Sequence, residues 1–135
     1  MVMRSLQVFI QSEGPIAILL LAGEISAFSH GDLEEAFHQA YHPGINALVL
    51  DFGKVEYINS AGVAGLIRLI TEVGRHGLEL CVCGLTHHYR GLFELMHLTD
   101  YMCTSENLNS AISDCLTLVE PTSTNPPASS QPNAP

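Results

Sequence analysis

Cysteine and histidine side chains at the end of an apolar run are candidates for binding a soft metal ion. Cys81 and Cys83 are two positions apart, and His87 and His88 follow them. If the run is a strand, both thiols lie on one face of it, and the next loop could bring a histidine close. The alternative is that both thiols pack as small hydrophobic residues in a central strand. We favour this alternative, because two cysteines at this spacing are a weak zinc signal.

His38 and His42 form a second candidate pair for a metal ion. They are four positions apart, a spacing that could direct two imidazoles on a helix toward one metal. Pro43 is expected to end the helix at this point, and no third ligand is evident in the sequence. We therefore interpret both histidines as solvent-facing, and we expect neither a metal nor another cofactor.

The cysteine content favours free thiols. The cysteines are not spaced like a disulfide framework, and a chain with this much apolar sequence does not need covalent cross-links. We expect the four side chains to be reduced and mostly buried. They are Cys81, Cys83, Cys103 and Cys115.

The common sequence signatures of catalysis are absent. The chain has no G-x-x-x-x-G-K-[ST] phosphate loop, no G-x-G-x-x-G, no G-x-S-x-G and no H-E-x-x-H. No acid/base pair or activated nucleophile can be assembled from the motifs that are present. We therefore predict a protein that is not an enzyme and has no catalytic residues.

The segment from Asn59 to Gly65 offers a different kind of chemistry. It joins a buried strand to the most amphipathic helix, at the carboxyl edge of the predicted sheet, where ligand and partner sites of such folds gather. Asn59 or Ser60 can cap the helix, and the remaining first-turn N–H groups would favour a nearby phosphate. The first turn is almost bare of side chains, which permits close approach by a partner, a phosphate or another element of the same fold. The small residues are Ala61, Gly62, Ala64 and Gly65.

The elements that position this segment follow from the apolar pattern. Strands are predicted at residues 6–11, 16–21, 47–52, 78–83 and about 101–103. Helices are predicted around apolar stripes over residues 33–40, 63–73, 89–96 and 108–115. The class is therefore α/β with the order β-β-α-β-α-β-α-β-α. Such alternation after an opening hairpin indicates a mixed sheet of roughly four to five strands with about four helices packed on it.

Local signals predict where these helices begin and end. Ser29, with Asp32 three residues later, predicts the start of the first helix, and Thr86 predicts the start of the third. Gly77 is placed to end the second helix.

Composition limits the function classes. The 135 residues carry a net charge of −9, and 47% are hydrophobic, which is enough for one buried core. The acidic balance argues against a nucleic-acid partner or an anionic membrane surface. No apolar run approaches the ~20 residues of a membrane span, so we expect no membrane insertion and a cytoplasmic location. Five of the seven prolines fall in the last fifteen residues, so we predict a domain at residues 1–118 and a flexible tail at 119–135.

Several segments together resemble the STAS domain family, the sulfate-transporter and anti-sigma-factor-antagonist modules. Residues 48–52 (LVLDF) and 55–66 (VEYINSAGVAGL) are similar to its central signature. Residues 22–26 (AGEIS) resemble the Gly-Glu-Leu-Asp step before its first helix, and residues 77–85 fit its penultimate strand. The resemblance covers residues 6–116 and implies a mixed sheet with helices on one side.

Three positions depart from the phosphorylatable antagonists of that family. Their loop reads Asp-Ser-Ser/Thr-Gly, and the residue before the Gly accepts phosphate from a kinase that is also the anti-sigma factor; the added charge releases the kinase. Here the acceptor position is Ala61, the Asp is Asn59, and the Asp of Gly-Glu-Leu-Asp is Ser26. Ser60 is one residue out of register, a rotation of about 100° at a helix start. We therefore expect a capping role for Ser60 and keep it as a candidate phosphoserine.

The resemblance implies an anti-sigma-factor-antagonist-like module that binds a GHKL-type kinase or a related regulator and is not switched in the usual way. Its alternative is the STAS subunit of an Mla-type phospholipid ABC transporter, which docks on the ATPase and also carries a hydroxyl residue and a small residue before the Gly. A homodimer is compatible with either. The residues assigned to partner binding are Ser26, Ser29, Asn59, Ser60, Ala61, Gly62 and Gly65.

Overall fold

The computed structural model describes residues 5–119, and within that range the predicted order of elements is confirmed. The strands are β1 (Gln7–Glu13), β2 (Ile16–Ile25), β3 (Ala47–Ile58), β4 (Glu79–Cys83) and β5 (Cys103–Ser105). The helices are α1 (His30–Ala40), α2 (Ser60–Arg75), α3 (His87–Leu95) and α4 (Leu108–Val119). Except for Val119, the last residue of α4, the predicted tail lies outside the described residues.

The sheet is mixed, as predicted, with the spatial order β1-β2-β3-β4-β5. β1 runs antiparallel to β2 through a turn in which Gly14 has a φ of +58°, and the other three pairs are parallel. The last strand lies two residues later than predicted. The reason is a 3-10 turn at Leu98–Tyr101, which buries Leu98 and uses residues that the apolar pattern had assigned to the strand.

β2 and β3 are longer than predicted. They stay paired as far as Ile25 and Ile58, past two register shifts. β4 ends opposite Asp51, so the second half of β3 has a partner on one side only and tolerates exposed polar residues. The predicted end of β3 at residue 52 was wrong for this reason: the loss of apolar character marks the end of β4, not the end of β3.

Helices cover both faces of the sheet. Alternate strand residues such as Leu19, Leu50 and Val82 face α1, α2 and Phe93 of α3. The other alternate residues, such as Ile18 and Val49, belong to a second cluster with Ala111 and Cys115 of α4. The expectation of helices on one side only was therefore wrong for α4.

Two of the predicted helix boundaries are confirmed. The Oγ1 atom of Thr86 accepts a hydrogen bond from the N–H of Tyr89 and caps α3. Gly77 follows the end of α2 with a φ of +72°, a conformation that glycine adopts at little cost. None of the helices in residues 5–119 has the length and apolar character needed to cross a membrane.

Candidate functional site

The candidate site is built where β2 and β3 end side by side. Ile25 and Ile58 are register partners, and the N–H of Asn59 donates to the carbonyl oxygen of Ile25 over 3.1 Å. From the α3 side, the hydroxyl of Tyr89 accepts a hydrogen bond of 2.9 Å from the N–H of Ile58. Two elements, β2 and α3, therefore hold the end of β3, from which α2 begins.

Asn59 caps α2. Its Oδ1 atom accepts a hydrogen bond of 2.8 Å from the N–H of Gly62, and its carbonyl oxygen accepts one of 3.0 Å from Val63. Ser60 is the first residue of the helix and is exposed, and its hydroxyl forms no hydrogen bond to any residue in the range 5–119. The expected capping role of Ser60 was therefore wrong, because the amide of Asn59 already fills the cap position.

Gly62 has a purely steric reason to be glycine. A Cβ atom at this position would lie 2.2 Å from the carbonyl oxygen of Ile25 and 2.6 Å from its carbonyl carbon. These are backbone atoms that cannot rotate away. Gly62 is buried and lets the first turn of α2 press against the end of β2. Its role is to position the helix, so it is not itself exposed to a partner.

Gly65 differs from Gly62 although both are buried. A Cβ atom at Gly65 would meet His30 of α1 at 3.7 Å, which is ordinary van der Waals contact. Gly65 therefore lies at the packing contact between α1 and α2 and tolerates a methyl group. The structure places it one turn beyond the strand ends, behind the exposed surface.

Ser26 and Ser29 close a 3-10 turn between β2 and α1. The Oγ atom of Ser26 accepts a hydrogen bond from the N–H of Phe28, and the Oγ atom of Ser29 accepts one of 2.9 Å from the N–H of Ser26. The Ser29 hydroxyl also donates to the carbonyl oxygen of Glu24, and the side chain is buried. The predicted start of α1 directly after Ser29 is confirmed, but the side chain of Ser29 does not cap the helix: no hydrogen bond joins it to the first turn, because the hydroxyl bonds to the preceding turn.

The exposed part of the site consists of small residues with two aromatic neighbours. Ser60 and Ala61 are exposed at the start of α2. Phe28, in the 3-10 turn that packs against α2, is 79% exposed, and Tyr57 near the end of β3 is 53% exposed. Neither aromatic residue was predicted from the sequence as part of the site. Phe28 is a large apolar residue in a loop, and Tyr57 is one in the polar half of a strand. These two features of the sequence could have identified them.

A cleft of about 230 Å³ lies between α1 and α2, and both Gly65 and His30 line it. Glu72 of α2 accepts a hydrogen bond from Arg75, and one of its carboxylate oxygens lies 3.7 Å from His38 of α1. The hydrogen bond from Arg75, helped by the nearby charges of Arg75, His76 and His38, lowers the pKa of Glu72, and partial desolvation opposes the shift. The contact between Glu72 and His38 joins the two helices away from the exposed first turn, whereas the bond from Arg75 lies within α2.

The cysteines lie on the α4 face of the sheet, away from the start of α2. All four are free thiols, and only Cys103 is not fully buried. Burial raises the pKa of Cys83 to about 12, and the nearby carboxylate of Asp51 adds to the shift. No group of three or more metal-ligating side chains forms within residues 5–119, and His87 and His88 lie exposed at the start of α3.

Comparisons with known proteins agree with this architecture. The family model described as STAS domain matches residues 8–111. A protein of Bordetella bronchiseptica named as an anti-sigma factor antagonist, BtrV, is 30% identical over 78 residues, which are 58% of this chain and 67% of BtrV.

Two solved structures show the same fold. The crystal structure of an anti-sigma factor antagonist from Mycobacterium paratuberculosis superposes with a TM-score of 0.70 at 21% identity, over 82% of this chain and 94% of the other. That of a sulfate transporter family protein from Wolinella succinogenes has a TM-score of 0.68 at 14% identity, over 78% and 88%. At these identities the two structures bear on the fold alone.

Proposed function

This chain belongs to the STAS domain family, and we propose that it is a non-enzymatic, cytoplasmic interaction module of the anti-sigma-factor-antagonist type. Its partner is a GHKL-type kinase that acts as an anti-sigma factor, or a related signalling protein. The contact surface, which we call the α2-start surface, comprises residues 26–32, residues 59–62 and the exposed face of α2.

The observation that carries the proposal is the geometry of the first turn of α2. Asn59 and Gly62 hold this turn against the end of β2, so Ser60 and Ala61 are presented at a rigid, nearly bare surface. The exposed ring of Phe28 lies in the turn that packs against α2 and supplies apolar area. A rigid small-residue surface beside an aromatic side chain loses little conformational entropy when it binds a partner.

The three departures from the phosphorylatable antagonists keep the shape of the site and remove its switch. Asn59 caps α2 as an aspartate would, and Ser26 accepts the turn hydrogen bond from Phe28. Ala61 has no hydroxyl group, so it cannot accept a phosphate. The module is therefore permanently competent to bind, or it is controlled by something other than phosphorylation at this position.

Ser60 is the one hydroxyl of the first turn. It is exposed and not needed for the cap. Its position one residue before the acceptor position turns the side chain by about 100° around the helix axis, which is a poor starting geometry for in-line transfer in the same kinase complex. We expect Ser60 to stay unmodified in the complex.

A second candidate function is the STAS subunit of an Mla-type phospholipid ABC transporter. The sequence Ser60-Ala61-Gly62 resembles those subunits, in which a hydroxyl residue contacts the ATPase. The exposed Ser60 hydroxyl, free of hydrogen bonds within the described part of the chain, favours this candidate. The two functions share one surface and differ in the partner.

Affinity capture of the full, tagged chain from a lysate of its own source, read by mass spectrometry, tests the proposal. The Ala61→Ser variant serves as a matched second bait, because it restores a hydroxyl group at the acceptor position. We expect the wild-type chain to recover a GHKL-type kinase with unmodified Ser60. We expect the variant to be phosphorylated at residue 61 and to recover less kinase.

Other results would redirect the assignment. Recovery of an ABC ATPase and its permease with the wild-type chain would support the transporter function and contradict the regulatory one. Phosphate on Ser60 in the wild-type chain would show that the register argument is wrong. If neither partner is recovered when there is enough bait to bind all of the available partner, both assignments are contradicted.

A further inference from the structure

Among the strands described in residues 5–119, β1 forms one edge of the sheet. β1 pairs with β2 along all seven of its residues without a register shift, and no other strand in residues 5–119 pairs with its far side. The N–H and C=O groups on that far side can therefore bond to an added strand. The opposite edge of the sheet is the three-residue strand β5, which α4 contacts.

β1 lacks the features with which proteins normally protect such an edge. Its sequence, QVFIQSE, has no lysine, no proline and no bulge, and its one charge is at Glu13. Two large apolar side chains are exposed on opposite faces of the strand, Phe9 at 55% and Ile10 at 39%. An added strand would cover both.

One flank of this edge is acidic. A groove of about 170 Å³ between β1 and α1 is lined by Val8 and Ile10 on the strand and by Asp32, Glu35 and Gln39 on the helix. Residues 5–46 contain five acidic residues (Glu13, Glu24, Asp32, Glu34 and Glu35) and neither lysine nor arginine. An incoming strand therefore meets apolar side chains at the sheet and carboxylates at the helix.

The other flank is apolar beside the edge. Phe9 lines a second groove of about 270 Å³ on the α4 side of the sheet, together with Leu20 and Ala22 of the neighbouring strand β2. The charged residues of this groove, Asp51 and Lys54, lie one strand farther from the edge, on β3. Side chains of an extended strand alternate between the two sides of a sheet. A strand that fits this edge therefore carries basic residues on the α1 side and apolar residues on the Phe9 side.

We propose that the β1 edge binds an extended, basic segment of a partner protein, which adds to the sheet as a sixth strand. A second copy of this chain fits less well, because pairing β1 with β1 would bring two acidic α1 flanks together. Asp32 belongs both to this groove and to the α2-start surface, whereas Glu35, Ile10 and Phe9 lie outside that surface. The variants that test the proposal leave the α2-start surface unchanged, so its failure can be distinguished from a failure of the function proposed above.

The test uses the full chain and a fluorescent peptide of seven residues in which lysine and valine alternate, matched in length to β1. Fluorescence anisotropy measures its affinity, and hydrogen exchange read by mass spectrometry measures protection of residues 7–13. We expect saturable binding that protects the β1 amides. We expect no binding of the matching peptide in which glutamate replaces lysine.

Two variants of α1 separate the site from general charge attraction. Glu35→Lys reverses a charge in the groove, whereas Glu34→Lys makes the same change one residue away, where the side chain lines the α1–α2 cleft and lies 3.6 Å from His30. We expect about a tenfold loss of peptide affinity for Glu35→Lys and little change for Glu34→Lys.

Three results would overturn the proposal. The first is the absence of binding, and the second is binding that leaves the β1 amides unprotected. The third is an equal loss of affinity in Glu35→Lys and Glu34→Lys, which would show that the peptide responds only to the net charge of the protein and not to this groove. A different occupant would be indicated if, without peptide, protection of the β1 amides rises with protein concentration and sedimentation detects a dimer. The edge would then be assigned to a second copy of this chain.

Discussion

The starts of α2 and α4 share a capping geometry and differ in what lies beneath them. In both, an asparagine Oδ1 atom accepts a hydrogen bond from the N–H three residues later, over 2.8 Å at Asn59 and 2.9 Å at Asn107. In both, its carbonyl oxygen accepts one from the N–H four residues later, over 3.0 Å. At the third helical position, however, α2 has the buried Gly62, and α4 has the exposed Ser110.

This difference identifies the special feature of the candidate site. An asparagine cap is common to both helices, so the cap alone carries no functional information. What distinguishes α2 is that its first turn lies against the carbonyl group of Ile25. The bare, exposed residues Ser60 and Ala61 are therefore held in one place relative to β2 and the 3-10 turn that carries Phe28.

Alanine at the third helical position should affect the stability of the two helix starts most differently. We expect Gly62→Ala to lower the free energy of unfolding by about 3 kcal/mol, because the Cβ atom would overlap backbone atoms of Ile25. Ser110→Ala, at the same position of α4, should change it by less than about 0.5 kcal/mol. Urea unfolding followed by circular dichroism measures both.

Gly74→Ala is the matched control within α2, since a Cβ atom there has no neighbour within 4 Å. We expect it to stabilise the protein by up to about 1 kcal/mol. A similar gain in stability for Gly62→Ala and Gly74→Ala would show that helix propensity, and not contact with Ile25, decides the effect.

Alkaline pH should lower the free energy of unfolding through the buried thiols on the α4 face of the sheet, which lies away from the α2 start. Burial raises the pKa of Cys83 to about 12 and that of Cys103 to about 11, whereas the thiols of an unfolded chain titrate near 9.0. The folded state therefore holds protons that the unfolded chain releases, so stability is fully present below about pH 9 and declines as pH rises toward 12. The free energy of unfolding, measured at about pH 8 and about pH 10.5, should fall.

The Cys83→Ser variant serves as the reference for this effect. Because the variant has lost the thiol with the higher of these two pKa values, we expect its stability to fall less over the same pH interval. An identical fall in the variant and the wild type would show that Cys83 does not cause the alkaline loss of stability.

Removing each cap should cost a similar free energy and have different functional effects. We expect Asn59→Ala and Asn107→Ala each to lower the free energy of unfolding by about 1 kcal/mol. Affinity for the captured partner should fall for Asn59→Ala and stay unchanged for Asn107→Ala, because α4 lies on the opposite face. Equal effects on affinity would show that partner binding follows global stability and not the α2 start.

The sequence was sufficient for the fold class and the order of elements. Strong apolar periodicity fixed α2, and Gly77 and Thr86 marked helix boundaries that do not depend on tertiary contacts. The end of β3 could not be read in this way, because its polar second half pairs with β2 alone. The local pattern likewise gives no information about which face α4 covers.

The roles of individual site residues were less predictable. A bare helix start indicates close approach, but only the position of the Ile25 carbonyl group shows that Gly62 needs to be glycine and Gly65 does not. Ser29 has the side chain of a helix cap, yet a hydrogen bond to the carbonyl group of Glu24 commits it to the preceding turn. Both distinctions depend on contacts between segments that are distant or bent back on each other.

The most direct test adds one carboxylate to the start of α2 and, in a separate variant, one to the start of α4. Calorimetry then measures the affinity of each variant for the captured partner. Ala61→Glu and Asn109→Glu both change an exposed first-turn residue, and an acidic group there favours the helix dipole, so both variants should remain folded. We expect a loss of at least about tenfold in affinity for Ala61→Glu and no change for Asn109→Glu. Unchanged affinity for Ala61→Glu would contradict the assignment of partner binding to the start of α2.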